Sequence, residues 1–288
     1  MSFILEGVIL RGINDKFIED LQHGELAFFL EQVKTKRDLL SLEIRGGYIN
    51  IYYRGGNLLK ITQKKKGYSF HFDKKYCLNK NDDSAYEKLK ALNSSSAEEY
   101  AAAFKLMMCE MDSWLDVHPK KEREYQHKLL SRNPSIMDIE YQINYKSADG
   151  QTKAMRLDMI MVVDDRMIIV ENKYGKDAVS GNAGLSKHYK DICVVLYNDA
   201  LHEDILSSIK NIVSAKYQLG LVNKPVVDLK KEKTEVLFLL AAYNPKSKTF
   251  NSEISAMDAS IPARVLFTEA AEYVIDYTKT RDLFDYGS

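Results

Sequence analysis

Between residues 14 and 38 the apolar positions Phe17, Ile18, Leu21, Leu26, Phe28, Phe29, Leu30 and Val33 recur at helical spacing. Asn14 or Asp15 can cap this helix, and Gly24 suggests a break within it. From Leu39 to Tyr76 the period changes to short alternating runs of β-branched and aromatic residues, LLSLEI, YINIYY, NLLKIT and YSFHFD. Their separators, Gly46-Gly47, Gly55-Gly56 and Lys66-Gly67, suit tight turns that need positive φ. An antiparallel meander of about four strands is predicted. The opening MSFILEGVILRGIND is interrupted by Glu6, has no basic leader or cleavage site, and reads as a strand.

After Asn79 the pattern becomes helical. Ser96 and the glutamates behind it introduce AEEYAAAFKLMMCEMDSWLDV, in which Tyr100, Phe104, Met107, Met108, Met111 and Leu115 follow helical spacing. Such a Met and aromatic stripe suits an ordinary core. Pro119 permits a new helix, KKEREYQHKLLS, which ends before Asn133-Pro134. Strands are predicted at 136–146, 154–163 and 166–173, and helices at 182–197 and 200–219. The run EVLFLLAAY (235–243) predicts a buried strand and ARVLFTEA a further one. Helix, three strands, helices and strand in that order define an α/β arrangement, a mixed sheet covered by helices. The expected organisation is a small N-terminal α+β domain over 1–80, a helical connector over 81–118 and a larger domain over 119–288.

Composition narrows the class. With 45% apolar and 28% charged residues and five prolines in 288 residues, the chain is globular throughout. Cys77, Cys109 and Cys193 are far apart and lack CxxC spacing, which argues against a disulfide framework or thiolate zinc site and suits a reducing cytoplasm. No segment approaches the roughly 18 apolar residues of a membrane-spanning helix. Forty-one basic residues balance 41 acidic ones, so any nucleic-acid surface must be local. Candidates are Lys64 to Lys66, Lys74 with Lys75, the trio Lys120, Lys121 and Arg123, and Lys230, Lys231 and Lys233. Each alone is more often a solvated face than a phosphate track. Tyr48, Tyr52, Tyr53, Tyr68 and Phe70 of the meander could stack on bases, although such aromatics more often pack a small core.

The most informative stretch is MRLDMIMVVDDRMIIVENKYG. With Asp164-Asp165 as a two-residue hairpin turn, Val163 sits opposite Arg166 and Asp158 faces Glu171. Lys173 falls two residues beyond Glu171, on the same side of the sheet. The rest of the hairpin is apolar on both faces, so charges at its end need compensation. Two carboxylates repel unless a cation separates them, and hard oxygen donors suit Mg²⁺ or Mn²⁺. Spacing alone leaves two readings level: a metal site with an assisting lysine, and an internal salt bridge at a sheet rim.

The segments RLD (156–158) and MIIVENKYG (167–175) resemble the paired motifs of the PD-(D/E)xK nuclease superfamily, with Asp158 alone representing the first motif. The segment LSKHYKD (185–191) is similar to the helix that in relatives supplies a polar or basic residue near the phosphate, which points to Lys187 and His188 as substrate contacts. EREYQHKLL resembles the preceding helix that donates a glutamate; Glu124 is favoured there, with Glu122 competing, and His127 follows three residues later. A single histidine on a partly apolar helix, such as His127 or His188, is more often a packing or capping residue than a catalyst. The resemblance implies a restriction-endonuclease-like mixed sheet and Mg²⁺- or Mn²⁺-dependent cleavage of nucleic acid, DNA foremost. It further implies roles in restriction, repair or phage defence, and a homodimer able to cut both strands. It makes Asp158, Glu171 and Glu124 the metal ligands and Lys173 the residue that assists the water. The alternative is a catalytically inactive nucleic-acid- or protein-binding module on the same fold.

Overall fold

A computed structural model describes residues 10–77, 85–90, 97–146, 151–175, 179–181, 184–225 and 228–286. Most of the opening segment predicted as a strand lies outside them. The chain divides into two compact units. Among the described residues, one comprises Arg11–Ser131 together with Ser214–Pro225; the other comprises Leu10, Arg132–Val213 and residues 228–286.

In the first unit the helical stretch is two helices, α1 (Asp15–Gln22) and α2 (Ala27–Thr35). Asn14 caps α1 by accepting from the Phe17 amide at 2.9 Å, satisfying one of the free N–H groups of the first turn. The meander is β1 (Leu40–Ile44), β2 (Tyr48–Tyr53), β3 (Gly56–Gln63) and β4 (Tyr68–His71), antiparallel in sequence order. The second turn is centred one residue earlier than Gly55-Gly56, on Arg54 (φ 49°) and Gly55 (φ 75°). Leu42, Ile44, Ile49, Ile51 and Ile61 are buried.

Helix α3 (Ala85–Lys90) precedes α4 (Ala97–Val117) and α5 (Lys121–Arg132). The last two belong to the N-terminal unit almost entirely, so the division of the chain falls at 131/132 instead of between 80 and 118. The cause is packing. Tyr100 and Phe104 of α4 close on Phe29 with ring centroids 4.9 and 6.0 Å apart, and His127 Nε2 of α5 meets the Asp38 carbonyl at 3.1 Å. Tyr68 and Phe70 likewise spend their rings on Phe17 and Phe29, and Tyr52 and Tyr53 are buried, so these aromatics serve the core.

The second unit is a six-stranded mixed sheet with helices, of the α/β class. Its strands are β5 (Ile136–Lys146), β6 (Thr152–Val163), β7 (Arg166–Tyr174), β8 (Thr234–Ala241), β9 (Ala263–Thr268) and β10 (Arg281–Asp282), in spatial order β10-β9-β8-β7-β6-β5. Strands β5 to β7 are an antiparallel meander, while β7, β8 and β9 run parallel. Helices α6 (Leu185–Leu196) and α7 (Asp199–Gln218) fall between β7 and β8 in sequence, and α8 (Lys248–Ser255) between β8 and β9. This alternation is what parallel neighbours require, since their connections must cross the sheet. Five successive residues of β8, Val236 to Leu240, have no exposure at all, the two-sided burial expected of a central parallel strand. No helix among the described residues is long and apolar enough to cross a membrane.

Phe238 stands in register with Glu171 and Val265, filling the sheet beside the charged cluster described next. Phe238→Ala is expected to destabilise the protein by about 3–5 kcal/mol through loss of buried surface and the cavity left behind. In urea denaturation the midpoint should fall with the slope unchanged; a midpoint within error of wild type would show that the sheet centre does not carry the unit.

Candidate functional site

The hairpin that builds the site begins at Asp164-Asp165, whose φ values of 48° and 60° place both residues in the left-handed region that a two-residue turn of matching twist requires. From there β6 and β7 pair as Val163↔Arg166, Val162↔Met167, Met161↔Ile168, Ile160↔Ile169 and Met159↔Val170. At the next step, Asp158 against Glu171, the ladder stops. Strand β6 continues on β5 as far as Lys146↔Thr152, while β7 continues on β8 as far as Tyr174↔Ala241. The two strands thus part, and backbone groups on the inner edges of the fork lose their ladder partners. One of them, the Asn172 N–H, is taken by the Asp158 carboxylate, Oδ2 accepting at 3.0 Å. The aspartate side chain replaces a strand.

Glu171 and Lys173 lie on β7 just past the fork, both nearly fully buried at 2% and 6% exposure. Lys173 Nζ is 2.8 Å from Glu171 Oε1. His188, from α6, closes the triangle: its Nδ1 is 2.9 Å from the same Oε1 and its Nε2 is 3.2 Å from Lys173 Nζ. One tautomer satisfies all three contacts, a neutral imidazole whose Nδ1–H donates to Glu171 while Nε2 accepts from the Lys173 ammonium. Helix α6 is held in place for this. The Tyr189 hydroxyl accepts from the Ile261 N–H at 2.9 Å and donates to the Ile261 carbonyl at 2.8 Å, and Glu253 of α8 accepts from the Ser186 hydroxyl and amide.

The electrostatics are unequal. Removal from water pushes the Asp158 carboxyl up to about 8, reinforced by the Glu171 charge; the Asn172 amide and Lys173 only partly oppose the rise. Burial also works against ionised Glu171, yet the His188 hydrogen bond and the Lys173 charge hold its carboxyl below the usual range. The two carboxyls are therefore driven apart, Glu171 towards its ionised form and Asp158 towards its protonated one.

Sequence reasoning missed Glu140. It sits on β5 at the position facing Asp158, between Ile139↔Met159 and Tyr141↔Leu157, with a φ of 53° that non-glycine residues rarely adopt within a strand. Its carboxylate pairs with Arg156 Nη1 at 2.8 Å and adds to the upward push on Asp158. The register of β5 on β6 was the signal that could have revealed it.

Asp158, Glu171, Lys173 and His188 therefore come together. Lys187 does not join them; it is exposed and pairs with Asp191 at 2.7 Å on its own helix. Glu124 belongs to α5 in the other compact unit, and His127 of the same helix is buried there against the Asp38 carbonyl. Among the described residues no group of three or more His, Cys, Asp or Glu side chains is arranged to hold a metal ion. Asp158 and Glu171 are the hard oxygen donors here that could hold a divalent cation. No known family profile, curated protein or solved structure matches this chain.

The raised Asp158 carboxyl has a consequence for stability. Below about pH 4 the group is protonated folded or unfolded; as pH rises towards about 8 the unfolded chain ionises first, so this residue progressively favours unfolding. Glu171, lowered, acts in the opposite sense, its contribution being lost only as pH falls through its folded value. Asp158→Asn should therefore gain stability relative to wild type as pH rises from about 4 to 8 in metal-free buffer, and Mg²⁺ should flatten the wild-type decline. Parallel stability curves for the two proteins across that window would contradict this electrostatic assignment.

Proposed function

We propose that the C-terminal unit is a metal-dependent nuclease core of the PD-(D/E)xK type that hydrolyses phosphodiester bonds of nucleic acid, DNA foremost, in a reducing cytoplasm, with restriction, repair or phage defence as its setting. The observation that carries this reading is the meeting of Asp158, Glu171 and Lys173 at the point where β6 and β7 part. Asp158 and Glu171 would hold Mg²⁺ or Mn²⁺. Such an ion supplies Lewis-acid stabilisation of phosphoryl charge and a more acidic water.

The chain's own residues account for the rest. The buried ammonium of Lys173 would help orient the attacking water, and its charge would oppose the negative charge that grows as the new P–O bond forms and a bridging P–O bond breaks. His188 fixes that ammonium, accepting from it at Nε2 while anchored through Nδ1 to Glu171, and its part-exposed edge can meet substrate. The attacking water gives up its proton to solvent, and the departing alkoxide takes one from solvent or a bound water.

A second reading, a catalytically inactive binding module, is favoured by one observation: Glu171 Oε1 is already engaged by both Lys173 and His188. Cleavage decides between them. Plasmid, linear and single-stranded DNA and RNA are incubated with Mg²⁺, Mn²⁺ or EDTA. The nuclease reading expects cutting only with metal, reduced on the order of 10²–10³-fold in Lys173→Ala. Inertness of the wild type on every substrate with either metal would transfer the assignment to the binding module.

A further inference from the structure

We propose that the N-terminal unit carries a separate docking site for single-stranded nucleic acid, in which a base stacks on His118 while neighbouring phosphates meet Arg123, Lys120 and Lys121. The site is built where α4 ends and α5 begins. Trp114 and His118, one helical turn apart, stack with ring centroids 4.3 Å apart and planes 14° from parallel. Tyr76 braces the indole edge-on at 5.1 Å, and the His118 ring is held by its Nδ1 against the Trp114 carbonyl at 2.9 Å. The imidazole itself is solvent-exposed. A flat, fixed, exposed ring backed by a second ring is the platform that an unstacked base requires.

The charge beside it is unspent. Arg54 is committed to Asp112 and Asp116 at 2.8 and 3.2 Å, and Lys75 to Asp73 at 2.8 Å. Arg123 forms no ion pair among the described residues: its guanidinium lies 5.7 Å over the Trp114 ring, donates through Nη2 to the His118 carbonyl at 3.2 Å, and has a buried Nε with no acceptor among them. Burial pushes its pKa down, against a smaller opposing pull from Tyr76 and Glu124. Lys120 and Lys121 are exposed and form no ion pair among the described residues. Arg123 is also positioned in advance. A Cβ at Gly55 would fall 2.6 Å from Arg123 Cγ and 2.7 Å from its carbonyl oxygen, so the bare β2–β3 turn fits against the root of this side chain. An arginine, two lysines and a stacked aromatic pair select a ligand with both phosphates and bases. An acidic peptide would satisfy only the charges.

The docking site shares with the nuclease core only the premise that the ligand is nucleic acid, and the two can fail separately. The chain has a single tryptophan, so Trp114 emission reports on this site alone. The full chain is titrated in EDTA with a deoxythymidine oligomer of ~10 nucleotides, with an abasic oligomer of equal length, and with polyglutamate. We expect quenching by the oligomer and weaker binding of both controls. His118→Leu should weaken binding about 5- to 100-fold while His118→Tyr, which keeps a flat ring, retains it. Arg123→Gln should reduce the salt slope by about 0.7, the share of one phosphate left without its cation. Binding without quenching, equal binding of the abasic oligomer or polyglutamate, or indifference to both His118→Leu and Arg123→Gln would overturn the site. Cutting of DNA without this binding overturns the docking site alone; binding here with no cutting under any metal overturns the nuclease alone.

Discussion

The parting of β6 from β7 after Met159↔Val170 is the constraint on which the C-terminal unit's chemistry depends. Where two neighbouring strands part, each N–H and C=O left on the inner edges must find another partner, in the protein or in water. Asp158 resolves part of this by accepting the Asn172 amide with its side chain. That places a carboxylate inside the sheet, and the next residues of β7 on the same face are Glu171 and Lys173. A hydrogen-bond problem of the backbone thereby becomes a concentration of charge.

That concentration is unbalanced. Lys173 and His188 stabilise Glu171 as an anion, while removal from water, reinforced by Glu171 and Glu140, raises the Asp158 carboxyl. A buried ion pair is by itself weak evidence of function, since desolvation offsets much of its attraction. The opposed shifts of the two neighbouring carboxyls are what an added cation would act on. The strained backbone at Glu140 falls between the pairs Ile139↔Met159 and Tyr141↔Leu157, so strain and the raised carboxyl lie close together.

The α/β class and most of its elements were legible in the sequence because hydrophobic period is a local signal. The Asp164-Asp165 turn fixed the hairpin register by simple counting, and with it the meeting of Asp158, Glu171 and Lys173. What counting could not foresee was that the ladder ends just where these residues begin, since that depends on β5 and β8 drawing their neighbours apart. Helix α8 went unread because KTFNSEIS is short and polar with only Phe250 and Ile254 buried. The allocation of α4 and α5 to the N-terminal unit rests on contacts with Phe29 and Asp38, many residues away, that no local pattern encodes. The trio Lys120, Lys121 and Arg123 was visible as charge, but its pairing with a stacked Trp114 and His118 needed the turn between two helices.

The most direct test of the central claim, that the fork is built to receive a divalent cation, is anomalous diffraction from crystals of the protein soaked in Mn²⁺. The account predicts a manganese peak bonded to carboxylate oxygens of both Asp158 and Glu171, with Lys173 Nζ beside it. Well-ordered carboxylates with no peak between them, and the Lys173–Glu171 pair unchanged in saturating metal, would contradict it.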